Sequence, residues 1–195
     1  MIVASIRHNL ANLLRFSGRE SRALFWPYAL VIVLLDFIAM WAAMIPQLAD
    51  SVARSQRFVV EHPELVVRTG PGSVQFKGPH PELMPDLAFV GHVAAAIALI
   101  GLLLLAAAVA RRLHDRCLHG WWGVLPLPFL GFGLVMMPRV FTSIRIAHAT
   151  PDVRLVMTIF LNNLLYLAAL AILVILLIGE GTRGPNRFGD GAPAV

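Results

Sequence analysis

Four stretches of this chain are long enough and poor enough in charge to cross a lipid bilayer, and that restricts the fold more than any motif does. A spanning helix needs about 20 mostly apolar residues, because the hydrocarbon core is about 30 Å thick. The first stretch runs from about Ala23 to Ala49 with Asp36 as its one charge, and the second from Leu87 to Ala110 with His92 inside it. The third, Gly120 to Pro138, holds Pro126, Pro128, Gly131 and Gly133, so it reads either as a kinked span or as a re-entrant pair of half-helices. The fourth, Leu155 to Gly179, carries no charge. Composition agrees: 58% of the 195 residues are hydrophobic and only 14% charged, with a mean hydropathy of +0.75, against about 25% charged in an average soluble domain. A soluble enzyme, a disordered regulator and a secreted disulfide scaffold are excluded on that ground.

Lys and Arg concentrate on the cytoplasmic side of membrane spans. Arg7, Arg15, Arg19 and Arg22 precede the first stretch, Arg111, Arg112 and Arg116 follow the second, and Arg183 and Arg187 lie in the tail. The other side has Arg54, Arg57, Arg68, Lys77, Arg139, Arg145 and Arg154, spread over many more residues. Both termini are therefore expected in the cytoplasm, where the single cysteine, Cys117, stays reduced. The net charge of +5 serves topology, and no basic soluble segment is long enough to read nucleic acid. The N-terminus does not read as a cleavable signal peptide, since its first apolar run begins only after Arg22 and reaches full spanning length.

Ile2, Ile6, Leu10 and Leu13 recur at helical spacing opposite Arg7, Asn9, Asn12 and Arg15, which predicts an amphipathic helix on the inner leaflet. The connection from Pro46 to Asp86 is rich in Pro and Gly, and Glu64 to Phe76 alternates around Gly70-Pro71-Gly72 as a β-hairpin would.

Three polar segments share the predicted cytoplasmic face. They are Phe16-Ser17-Gly18-Arg19 with Arg22, Phe25 and Trp26; Arg111-Arg112-Leu113-His114-Asp115 followed by Gly120-Trp121-Trp122; and Gly184-Pro185-Asn186-Arg187-Phe188-Gly189. In that order they resemble the domain-of-unknown-function family 805, small bacterial inner-membrane proteins, over the length of the chain. The resemblance implies a fold and a compartment but no reaction. This chain departs from the family pattern in its long 46–86 connection, in His119 where Ser is usual, and in an extra segment from about Arg139 to Asn163. The expected layout is a single all-α membrane domain. A surface helix (1–22) leads into span 23–45, a periplasmic loop (46–86) and span 87–110. A cytoplasmic loop (111–119), span 120–138, periplasmic loop (139–154), span 155–179 and cytoplasmic tail (180–195) complete it.

The guanidinium forks of Arg19, Arg22, Arg111, Arg112 and Arg187 suit an anionic headgroup or a phosphorylated ligand, with Trp26, Trp121, Trp122 and Phe188 as aromatic neighbours and Asn186 in a glycine-bounded turn. The same residues read equally as topology signals and an aromatic belt, with Asp115 and Glu20 pairing some arginines and locking the three segments together. His114 beside Asp115 invites an acid–base reading, but neighbours on a helix point about 100° apart and no nucleophile accompanies them. His114, Cys117 and His119 match no standard zinc spacing, so no metal is expected. His92 has no second intramembrane histidine, so haem is disfavoured and no cofactor is expected. Asp36 must face the bundle; depth counting puts Tyr166 level with it and Asn162 and Asn163 about a turn further out, which predicts an interhelical hydrogen bond or a proton or cation path. Together these features point to a non-catalytic interaction or accessory protein whose partners are anionic membrane lipid, a phosphorylated ligand or a second membrane protein. A small transporter using Asp36 is the alternative.

Overall fold

The computed structural model describes residues 1–70, 73–78, 80–146 and 153–191. Five helices are formed: α1 (Ile2–Ala11), α2 (Arg22–Glu61), α3 (Leu87–Asp115), α4 (Leu127–Ile146) and α5 (Val153–Ile178). Between α2 and α3 lie strands β1 (Val66–Gly70) and β2 (Ser73–Phe76), and a 3₁₀ segment, Gly120–Val124, precedes α4. Four helical segments are long and apolar enough to cross a membrane. Their outward side chains, among them Leu34, Phe37, Leu103, Phe160, Leu164 and Ile175, are exposed and apolar, a surface that lipid solvates and water does not. The protein is an all-α, multi-pass membrane protein.

The third apolar stretch does not fold back on itself but runs alongside α3. Gly123, just before α4, faces Val109 and Leu113 near one end of α3, while Pro138 faces Gly91 near the other. Val109 and Gly91 lie about 27 Å apart along α3 at ~1.5 Å per residue, close to the thickness of a bilayer core. The prolines Pro126 and Pro128 sit around the first turn of α4, where a missing N–H costs least, and so set where the helix begins.

Two expectations need correction. The first span does not give way to a loop at Pro46: α2 continues as a helix to Glu61, about 60 Å in all at ~1.5 Å per residue, so its last turns stand well clear of an apolar core. Its extension carries Asp50 and Arg54, paired at 2.7 Å, and ends on Phe58, whose ring meets Phe76 of the hairpin at 5.5 Å and His80 at 4.4 Å. The hairpin itself forms where the alternation placed it, with Val66 opposite Phe76 and Val67 opposite Gln75. The second correction concerns α1. Ser5 and Asn9, not the apolar residues, are its buried positions, because the Ser5 hydroxyl and the Asn9 amide both donate to the Leu24 carbonyl in the first turn of α2. Ile2 and Leu10 are exposed, while Ile6 packs against the core.

That core lies at the end of the bundle where both chain ends sit. Phe25, Tyr28, Ala29 and Ile32 of α2 pack with Ala108 and Leu113 of α3 and Leu173 and Leu177 of α5. The Tyr28 hydroxyl donates to the Leu104 carbonyl at 2.9 Å, fixing α2 against α3.

Candidate functional site

Each helix end leaves backbone carbonyls without partners, and near a membrane those groups must still be satisfied. Here arginines satisfy them. Arg112 donates from Nε to the Leu177 carbonyl (3.0 Å) and from a terminal nitrogen to Gly179 (2.6 Å), capping α5. Arg116 adds bonds to Leu176 (2.6 Å) and Ile175 (3.3 Å). Arg111 reaches the other way, to the Asn12 (2.8 Å) and Arg15 (2.6 Å) carbonyls beyond α1 and to the Asn9 side chain (2.7 Å). Positive charge beside these carbonyls also opposes the negative end of the helix dipole.

Two carboxylates neutralise this group. Glu20 takes Arg111 at 2.8 Å from Nε and 2.7 Å from a terminal nitrogen. Asp115 accepts Arg19 through one oxygen (3.0 and 2.9 Å) and Arg112 through the other (2.6 Å). Arg19 spends its remaining donors on the Thr182 (2.6 Å), Gly184 (2.6 Å) and Gly189 (3.4 Å) carbonyls of the tail. Arg112 and Glu20 are 0% exposed, Arg111 3%, Asp115 4% and Arg19 6%, so these charges are held almost wholly by one another and by backbone. Burial pushes the Glu20 carboxyl above the usual carboxylate range, with the Arg111 guanidinium opposing it.

The tail completes the arrangement by capping α3. Thr182 donates its N–H (2.8 Å) and hydroxyl (3.0 Å) to the Asp115 carbonyl, and Asn186 donates to the His114 carbonyl (3.0 Å) and to the Thr182 hydroxyl oxygen (2.8 Å). Asn186 and Gly189 exchange two backbone bonds of 3.0 Å around Arg187 and Phe188, a tight turn that needs the positive φ of Gly189 (145°). The turn lays Phe188 flat on His114, 4.0 Å between ring centres and 7° apart, with His119 edge-on at 5.9 Å. Arg187 lies over the Phe188 ring at 4.8 Å and bonds the Cys117 carbonyl.

The three motif segments thus meet. Of the residues singled out in the sequence, Arg19, Arg111, Arg112, His114, Asp115, Asn186 and Phe188 form one lattice, which is the locking arrangement expected from Asp115 and Glu20. Trp26 packs on the core beside Phe25 (5.2 Å), whereas Trp121 and Trp122 are 80% and 46% exposed. Arg22 stands exposed, 3.4 Å from Glu180. Together with Ser21 and Thr182 it borders a polar depression of about 390 Å³ over Arg19, Arg112 and Asp115. Sequence reasoning missed Ser5, Thr182 and Arg116 as members of the lattice, and assigned Asn9 to the outer face of α1. Ser5 and Asn9 lie one turn apart on one face of α1, a spacing that could have revealed them.

The expected partner of Asp36 is not found. Its carboxylate lies against Gly101 of α3, in the space a Cβ there would take, and among the described residues it makes no hydrogen bond or ion pair. Asn162 bonds the Phe129 carbonyl of α4 instead (3.0 Å), and Asn163 is exposed. Tyr166 shares a cavity with Asp36 without bonding it.

A family model described as "Protein of unknown function (DUF805)" matches residues 13–190, a range that takes in all three motif segments. No curated protein and no solved structure matches the chain. Because the match spans all three motif segments and all four apolar helices, the chain belongs to the DUF805 family of uncharacterised proteins.

Proposed function

We propose that the protein is a non-catalytic accessory protein of the bacterial inner membrane, with both termini in the cytoplasm, whose cytoplasmic face gathers anionic lipid headgroups. The observation that carries this reading is the division among the arginines. Arg19, Arg111 and Arg112 are buried and committed to protein groups, while Arg7, Arg15 and Arg183 stay exposed at the same end of the bundle, as do Arg22 beside Glu180 and Arg187 beside Cys117 and Phe188. Leu14, Phe16, Trp121 and Trp122 are exposed there too, an apolar and aromatic fringe of the kind that sits at headgroup depth. Basic side chains near an anionic leaflet are worth about 1 kcal/mol each.

Native mass spectrometry after release from nanodiscs of mixed phosphatidylglycerol and phosphatidylcholine tests this. Retained lipid should be enriched in phosphatidylglycerol, and the triple variant Arg7→Gln, Arg15→Gln, Arg22→Gln should lose that enrichment while remaining folded. Equal retention of the two lipids by the unaltered protein would reject the reading; a retained soluble phosphorylated compound or a second protein would redirect it. A cytoplasm-only reporter fused after Val195 should be active, and activity of a periplasm-only reporter there would reverse the topology. Asp36, unpaired among the described residues, favours a second reading, a small transporter or ion-coupled protein.

A further inference from the structure

A half-open cavity of about 760 Å³ runs between α2, α3, α4 and α5, within the range of about 300–1,000 Å³ typical of small-molecule sites. One wall is a single stripe of α3, from Ala98 and Gly101 through Leu105 and Val109 to His114, about 24 Å long at ~1.5 Å per residue. Phe16, His119 and Trp121 line the end beside the arginine lattice; Asp36, Tyr166 and Leu130 line the deep end. Nearly every other lining group is aliphatic, and no Lys or Arg is among them. Apart from the His114 and His119 imidazoles at the lattice end, the one lining group that can carry charge near neutral pH is the Asp36 carboxyl, to which the described residues give no partner.

We infer that this cavity is a binding site for a lipophilic monovalent cation, an ammonium or phosphonium carried on an apolar body. The argument is one of complementarity. A carboxylate in an apolar, low-dielectric setting is costly unless a counter-charge reaches it. A small hydrated cation would strip its water against aliphatic walls that give nothing back, whereas a cation already clothed in hydrocarbon loses little on entry and buries apolar surface along the α3 stripe. Gly101 makes the pairing feasible, since the absence of a side chain there lets the Asp36 carboxylate sit back against α3 and leaves the volume in front of it open. Tyr166 across the cavity offers a phenol ring whose face attracts cations. The site stands apart from the headgroup surface and does not depend on it.

The test uses the full chain in phosphatidylcholine nanodiscs, a lipid without net charge, with radiolabelled tetraphenylphosphonium as probe and empty nanodiscs as the partition control. Binding should be saturable at one per chain. Asp36→Asn, which keeps shape but not charge, should weaken it at least tenfold, and Asp36→Glu should retain it. Ala98→Phe, which leaves the carboxylate and fills the deep end, should also abolish it, so the result does not rest on one variant. Tetraphenylborate, alike in shape and opposite in charge, should fail to compete. Unchanged binding in Asp36→Asn, competition by tetraphenylborate equal to that of the unlabelled cation, or uptake no greater than by empty nanodiscs would each overturn the inference. None of these outcomes bears on phosphatidylglycerol enrichment at the cytoplasmic face.

Discussion

Arg112 shows why the motif specifies arginine. Its planar fork bonds two α5 carbonyls and the Asp115 carboxylate in three directions, which an ammonium on one atom cannot do. Replacing it with Leu strands Asp115 with one guanidinium partner and leaves α5 uncapped, so Arg112→Leu should lose about 3–5 kcal/mol, the range for breaking a buried pair. Arg112→Lys should recover less than half of that, read from unfolding in mild detergent. Cys117 is informative in the opposite sense. It occupies the left-handed position (φ 58°) of a turn in which Leu118 bonds the Leu113 carbonyl and Cys117 bonds that of His114, a place where glycine is usual. The left-handed conformation costs an L-residue about 1–2 kcal/mol, offset in part by the greater entropy glycine loses on folding, so Cys117→Gly should raise stability by roughly 0.5–1 kcal/mol. Asp115 and Glu20 were legible as partners for the arginines because they are acids within the motif segments. Which arginine takes which acid was not, since side-chain reach across the bundle end leaves no periodic trace in sequence.

At the scale of elements, hydropathy made the four membrane helices readable because lipid demands apolar side chains on every outward face. The two misjudged elements fail for different reasons. Proline usually ends a helix, yet beyond Pro46 the sequence Gln47-Leu48-Ala49-Asp50 and onward keeps helical spacing, and α2 loses only a local bond. In α1 the buried face is chosen by hydrogen bonds from Ser5 and Asn9 to a backbone carbonyl, Leu24, so the apolar stripe does not mark it. The connection between α1 and α2 carries Glu20, and its titration has a definite sign. Burial holds its pKa above the ordinary 4.5, so the folded protein keeps that proton more tightly than the unfolded chain. The stability tied to the proton is fully present below the unfolded value and is lost as pH rises through the folded one. The stability of the native protein relative to Glu20→Gln should therefore improve as pH is lowered from 7.5 to about 5. A gap that moves the other way would mean that pairing with Arg111 outweighs burial.

Over the whole molecule, the buried lattice fastens both ends of the chain to one end of the bundle. Arg111 holds the exit of α1, Arg112 the exit of α5, and the tail in turn caps α3. Beside that lattice begins the cavity that reaches Asp36. On the proposed reading the motif residues of this chain serve the fold, and ligands are met elsewhere, on exposed arginines and at the cavity. The distinction can be measured with a double-mutant cycle on Arg19 and Asp115 in nanodiscs, combining Arg19→Gln, Asp115→Asn and the double variant. If the pair is an internal lock, the two losses of stability are strongly non-additive, with a coupling of about 1–3 kcal/mol, and phosphatidylglycerol retention is unchanged in every variant that folds. Losses that add to within about 0.5 kcal/mol, together with a fall in lipid retention, would instead mean that Arg19 serves a ligand and that the lattice is not what holds the ends of the chain together.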